Sequence, residues 1–324
     1  MGGYEPPSVL RESLKATRAL LKPYLLHLEA ATKKTSNSMI ALASAIATLA
    51  LIVAGLGVFW QGEGQPFEFR TLRGEAVMIQ GHGLYRYDTV SFAAQAIAQD
   101  VVTLLVGIPL LVVAIVVSRR GNLRGKLLLA GTLAYFLYTY ASYTFGSAYN
   151  ILFLVYVALF SLSLFGFILS LMAIDVPALP ACFSARLPRR AIAVFLYVVG
   201  AFLLFAWLGR IGPALLANLP PIGLESYATL IIQALDLGLI MPTAFLSGIL
   251  LWKQRPWGYL LASIVLVKGF TMLLAVSAMA FNMMRAGVQV SIGETLMFPI
   301  LALIDIGMTV TLLRNVTQPA SASA

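Results

Sequence analysis

The sequence predicts an all-α polytopic membrane protein with about eight transmembrane helices. Three observations carry that prediction. Of its 324 residues, 60% are hydrophobic and only 11% are charged, where a soluble domain carries about 25%. The apolar residues gather in runs of about twenty, the length a helix needs to cross a hydrocarbon core of about 30 Å. Lys and Arg fall between alternate runs, as they do in cytoplasmic loops of membrane proteins. Together these exclude a soluble globular domain, a disordered chain and a coiled coil. The net charge of +9 follows from the loops, and no nucleic-acid partner is expected. The expected partner is the lipid bilayer.

Residues 1–38 form a cytoplasmic segment. Leu10, Leu14, Leu21, Leu25 and Leu28 recur at helical spacing, with Arg11, Lys15, Arg18 and Lys22 between them. This pattern predicts an amphipathic helix on the inner leaflet, bent at Pro23. It serves orientation and packing, or it docks a cytoplasmic partner. The first apolar run starts only near Met39, after this basic stretch, and reads as a retained anchor.

Eight spans are predicted over residues 39–314: Met39–Trp60, Ala94–Val117, Lys126–Phe145, Ile151–Ile174, Ala191–Leu208, Tyr227–Leu251, Trp257–Phe281 and Leu296–Leu313. With the N-terminus inside, 16 basic residues fall on the inner side and five (Arg70, Arg73, Arg86, Arg210 and Arg285) on the outer side. Lys268 is the remaining one, within a span. That asymmetry predicts an even number of spans with both termini cytoplasmic, in the plasma membrane. The outer segment 61–93 contains alternating apolar residues around Phe67–Phe69 and Val77–Ile79. It predicts a short hairpin that caps the bundle or binds a ligand. Residues 315–324 read as a disordered tail.

An offset of 133 residues relates two stretches of the chain. It places Pro109 on Pro242, Arg120 on Lys253, Gly125 on Gly258 and Leu127–Leu128 on Leu260–Leu261. Thr103 falls on Asp236 and Tyr135 on Lys268. Two four-helix repeats would be parallel, since four is even. An unrepeated bundle is the alternative.

Polar residues inside spans are the candidate functional residues, because a charge at the bilayer centre costs about 2.5–3.5 kcal/mol on insertion scales. Counting about 1.5 Å per residue from the span ends puts Asp236, Lys268 and Asp305 at similar depths. Gln233 lies one turn from Asp236 and Thr271 one turn from Lys268. This cluster is suited to holding a proton or a small ion. Equally, it reads as a buried salt bridge that fixes helix register. Asp100 and Gln99 form a second polar group. If the helix begins near Ser91, Asp100 is deep; if it begins at Asp100, the carboxylate merely caps the helix dipole. Tyr135 and Tyr138 share a face of the third span and face the bundle, as donors to Asp100 or Asp236. Tyr143 and Tyr149 read as an interfacial aromatic belt. Pro109 and Pro242 are candidate hinges.

No cofactor or metal is expected. Cys182 is the lone cysteine, and His27 and His82 are the only histidines. The sequence has no phosphate-binding G-x-x-x-x-G-K-[ST] loop, H-E-x-x-H helix or G-x-S-x-G elbow. The leading expectation is a proton-linked transporter of a small solute or ion. The alternatives are a non-transporting assembly or sensory protein, and an intramembrane enzyme acting on lipid or isoprenoid substrates with Asp100 and Tyr135 as acid–base groups.

Overall fold

A computed structural model of the protein describes residues 37–60 and 62–317. The expected amphipathic helix therefore lies outside the described residues. Eight long helices are present among the described residues: α1 (Asn37–Phe59), α2 (Val90–Arg119), α3 (Leu123–Gly146), α4 (Phe153–Met172), α5 (Arg189–Leu216), α6 (Ile231–Trp252), α7 (Pro256–Arg285) and α8 (Ile292–Arg314). The protein is an all-α polytopic membrane protein. Seven of the helices are long and apolar enough to cross a membrane. The exception, α3, is 24 residues long, so its length suffices, but its tyrosines, threonines and serines lower its hydropathy. Its neighbours resolve that conflict by burying most of its polar side chains.

All eight predicted spans coincide with helices, with different ends. Helix α5 runs to Leu216, past Arg210, and includes Pro213 in its last turn. Helix α6 starts four residues later than expected. Helix α7 is 30 residues long, about 45 Å at 1.5 Å per residue, and so extends beyond a bilayer core. The predicted hairpin is present: β1 (Phe67–Arg70) pairs antiparallel with β2 (Ala76–Ile79), Phe67 opposite Ile79. It defines one side of the bundle, here the hairpin side. The opposite, basic side holds Arg119, Arg120, Arg124 and Arg189. The expected disordered tail needs correction at its start. Val316 is 1% exposed and bridges to Phe183, and the Thr317 amide donates to Cys182 O at 2.7 Å. Burial of Val316 and these backbone bonds hold the chain in place through residue 317.

The 133-residue offset reappears in the backbone. Helix α2 contains a π segment, Thr103–Gly107, and α6 contains another, Asp236–Ile240. The amide of Ile108 reaches back five residues to Thr103 O, and that of Met241 reaches back to Asp236 O. Each segment is followed by its proline, Pro109 or Pro242, which lacks the N–H a regular ladder would use. Each helix then turns sharply into the next. Gly121 (φ 71°) and Gln254 (φ 53°) take the left-handed position of the two turns. Just beyond, Gly125 and Gly258 pack onto the backbone of the preceding helix. A Cβ on Gly125 would sit 2.4 Å from Ser118 N, and one on Gly258 would sit 2.3 Å from Leu251 N, which is the same contact shifted by 133. Leu127 and Leu260 are both fully buried, as are Leu129 and Ala262. The helix pairs α2–α3 and α6–α7 thus share one plan, and the two halves meet where α2 and α3 pack on α7.

Each half has its own apolar core. One joins Met39, Ala43 and Ile46 of α1 to Leu111 of α2, Leu133 of α3 and Leu159 of α4. The other joins Ile192 and Leu196 of α5 to Ala244 of α6, Leu260 of α7 and Leu312 of α8. Helix α3 contributes to both, with Leu129 and Leu133 on one face and Leu127 and Ala130 on the other.

Candidate functional site: two buried polar clusters

Helix α2 begins at Val90, where the Thr89 side chain accepts from the Phe92 amide as an N-cap. Asp100 is therefore ten residues inside the helix and 1% exposed, about 15 Å from its start. The deep reading of Asp100 holds, and the dipole-cap reading does not. Its Oδ2 accepts from the Tyr85 hydroxyl at 2.5 Å and its Oδ1 from that of Tyr143 at 3.1 Å. The backbone of α1 gives the carboxylate room at Gly57, where a Cβ would collide with Asp100 Oδ2. Beside it, Gln99 donates to the Tyr135 hydroxyl (2.7 Å) and to Thr139 Oγ1 (3.1 Å). Tyr135 and Thr103 hydroxyls are 2.8 Å apart. Since Tyr135 accepts from Gln99, its own proton is free to go to Thr103. Tyr135 thus serves Gln99 and Thr103, not Asp100.

The second cluster is built differently. Asp236 opens the π segment of α6. Its Oδ1 accepts from the Tyr138 hydroxyl of α3 at 2.7 Å, and its Oδ2 from Trp207 Nε1 of α5 at 2.9 Å. Lys268 of α7 is 6% exposed. Its ammonium lies 3.9 Å from the centroid of the Tyr138 ring, a cation–π contact that gains strength when desolvated. Asp305 of α8 is 2% exposed. Its Oδ1 takes a long bond of 3.4 Å from Thr309, and its Oδ2 rests over Gly269, where a Cβ would come within 2.3 Å.

The structure brings Asp236, Lys268 and Asp305 into one electrostatic neighbourhood, but not into the salt bridge that was one reading of the sequence. Among the described residues, no ion pair within 4.0 Å joins Lys268 to either carboxylate. Tyr138 stands in the way: its hydroxyl serves Asp236 while its ring face holds the ammonium. The depth count is corrected as well. Asp236 lies five residues into α6, about 7.5 Å from its start. It meets Lys268 because helix ends are not membrane boundaries. Gln233 accepts from the Asp236 amide through its backbone carbonyl, but its buried side chain makes no hydrogen bond to the Asp236 carboxylate among the described residues, and Thr271 bonds back to Val267 O and Lys268 O instead of the Lys268 side chain.

Several contributors are not evident from the sequence, among them Tyr85, Thr139 and Thr309, which bond Asp100, Gln99 and Asp305. Trp207 carried a signal, since an indole N–H inside a span requires an acceptor. Tyr143, which the sequence places in the aromatic belt, is buried instead. It is 4% exposed and bonds Asp100 and Ala96 O, while Tyr149, at 76% exposed, fits the belt. Gly57 and Gly269 make room for carboxylates through contacts between helices, which spacing along one helix cannot reveal. Pro109 and Pro242 each lie two residues past the end of a π segment. No protein-family model, no curated protein and no solved structure matches the chain.

Proposed function

We propose that the protein is a proton-linked transporter of a small solute or ion, and that Asp236, Lys268 and Asp305 form its intramembrane charge site. One observation carries this reading: a buried lysine lies near two buried carboxylates yet forms a direct ion pair with neither. A structural salt bridge gains from close contact, since its Coulomb energy must offset desolvation. Here contact is given up, and each charge keeps freedom to change partner or protonation state. In this reading Asp236 and Asp305 take a proton or a small cation, and Lys268 competes with it. Tyr138 and Trp207 hold Asp236 in place between events.

The π segment beginning at Asp236 supports the reading, because π bulges recur at functional sites. Together with Pro242 it offers a place for α6 to bend. The basic side is assigned to the cytoplasm by the excess of Lys and Arg there, which puts both termini inside and the hairpin outside the plasma membrane. A pH-jump experiment on proteoliposomes adsorbed to a solid-supported membrane tests the reading. The expected result is a charge displacement in the native protein that Asp236→Asn and Lys268→Met each abolish. Equal displacement in the native protein, both variants and protein-free vesicles would favour a structural role for the cluster.

A further inference from the structure

Several buried polar atoms on the hairpin side lack a full hydrogen bond among the described residues, and three of them, Asp88 Oδ2, Asn150 Nδ2 and the Tyr156 hydroxyl, lie together. Their residues are 1%, 8% and 1% exposed. Buried polar atoms are nearly always paired, either within the protein or with ordered water.

The three belong to one corner. Asp88 Oδ1 accepts from the Ala148 amide at 2.7 Å, two residues before Asn150. Asn150 Oδ1 accepts from the Leu152 amide at 2.9 Å, which leaves its Nδ2 as the free donor. Tyr156 stands on the first turn of α4, its hydroxyl close enough to Asn150 and Tyr85 for a weak interaction with each but not for a full hydrogen bond, and within electrostatic reach of both Asp88 and Asp100. Tyr85 in turn donates to Asp100 Oδ2.

We propose that Asp88, Asn150 and Tyr156 hold ordered water that links the hairpin-side surface to Asp100, completing a proton relay from Asp88 through water, Tyr156 and Tyr85 to Asp100. The atoms argue for water as the ligand. A carboxylate acceptor, an amide donor and a hydroxyl that can do both match what water needs. A metal cation would be repelled by the amide protons of Asn150.

The transfer balances. Asp88 releases one proton to water, and the water passes one to Tyr156. Tyr156 passes one on to Tyr85, and Tyr85 gives its own to Asp100. Only Asp88 and Asp100 change charge. Tyr143 can answer that change. Its single hydroxyl proton has two acceptors, Ala96 O at 2.9 Å and Asp100 Oδ1 at 3.1 Å. A neutral Asp100 releases it to Ala96 O.

Asp88 is placed to accept protons near neutrality. Burial lifts its carboxyl to about 7, against the bonds from Ala148 and Tyr227 that pull it down. The ionisable groups around it are Tyr227, which donates to its Oδ1 at 2.9 Å, and Glu225, which accepts from Thr89. Arg73 holds the carbonyls of both, at 3.1 Å and 2.6 Å respectively. Arg86 shares the Asp88 loop, and Tyr85, Tyr156 and Asp100 lie inward.

Infrared spectroscopy of the full chain in lipid nanodiscs tests the relay. A protonated-carboxyl band should grow as pH falls through about 7 and be missing from Asp88→Asn. The band assigned to Asp100 by its loss in Asp100→Asn is followed at a pH where that group is protonated. On transfer to D₂O it should exchange about tenfold more slowly in Tyr156→Phe, equivalent to about 1.4 kcal/mol on the exchange barrier. Tyr156→Phe keeps the ring packing, and Asn150→Ala gives a second interruption of the same water. A titrating band that survives Asp88→Asn, or an Asp100 exchange rate unchanged by both interruptions, overturns the proposal. The readout uses no solute and no residue of the second half, so its failure leaves the Asp236–Lys268 reading untouched, and the reverse also holds.

Discussion

The two halves of this protein use one backbone plan for different chemistry. Both bend a helix with a π segment and a proline, turn it through a left-handed residue and lock the turn with a glycine on backbone. At the position where the first half has Tyr135, the second has Lys268. Where the first has Thr103, the second has Asp236. Mid-helix, the first half thus buries neutral hydroxyls and an amide beside Asp100, whose carboxylate takes two phenol bonds. The second buries a cation and two carboxylates. Backbone devices set where polar groups sit, and the side chains at those places decide whether the interior is a hydrogen-bonded relay or a charge site.

The comparison breaks first at its shared backbone. Gly125→Val and Gly258→Val should both prevent assembly of a stable bundle, because each added Cβ would lie under 2.5 Å from main-chain atoms that cannot move aside. Overpacking of flexible cores costs about 1–3 kcal/mol, and contact with backbone should exceed that. The yield of monodisperse protein is the measure. If only one variant fails, the two turns are not equivalent.

The next effect separates the halves by pH. Asp88 has its carboxyl raised to about 7 by burial. Between the ordinary carboxylate value of about 4 and pH 7, the folded protein therefore keeps a proton that the unfolded chain releases. Stability falls as pH rises through that window and is flat above it. The ceiling is about 4 kcal/mol, from three units at 1.36 kcal/mol each. Thermal unfolding at pH 5 and pH 8 should differ in the native protein, and the difference should shrink in Asp88→Asn. An undiminished difference would place the titration elsewhere.

Tyrosine deletions should cost less and sort the two chemistries. Tyr135→Phe leaves Gln99 and Thr103 short of partners, and Tyr138→Phe leaves Asp236 with Trp207 alone. Each should lower stability by about 1–3 kcal/mol, the cost of an unsatisfied buried polar group. Only Tyr138→Phe should also alter charge displacement, although the ring that carries Lys268 remains. The smallest effect concerns the bends. Pro109→Ala and Pro242→Ala should change stability by about 1 kcal/mol or less, since the π segments already reroute the ladder. Pro242→Ala alone should slow the charge displacement.

Helix number, the hairpin and the 133-residue correspondence of α2–α3 with α6–α7 were legible in the sequence, because apolar run length, alternation and spacing are read along the chain. The mid-span polar residues were legible for the same reason: a polar group in an apolar run stands out. Of their partners, Tyr138 was legible as a donor to a buried carboxylate, and it does bond Asp236. Trp207 reaches Asp236 from α5, and Gly57 admits Asp100 from α1, through contacts between helices that spacing does not show. The difference between a salt bridge and a cation held on an aromatic face turns on the position of the Tyr138 ring, which no spacing along a helix encodes.

Proton movement into dye-loaded proteoliposomes, driven by a potassium diffusion potential, tests the central claim that the second half is the charge site. The account predicts proton flux in the native protein that is lost in Asp236→Asn and in Lys268→Met and kept in Gln99→Leu. Flux that is the same in the native protein and in all three variants would contradict it.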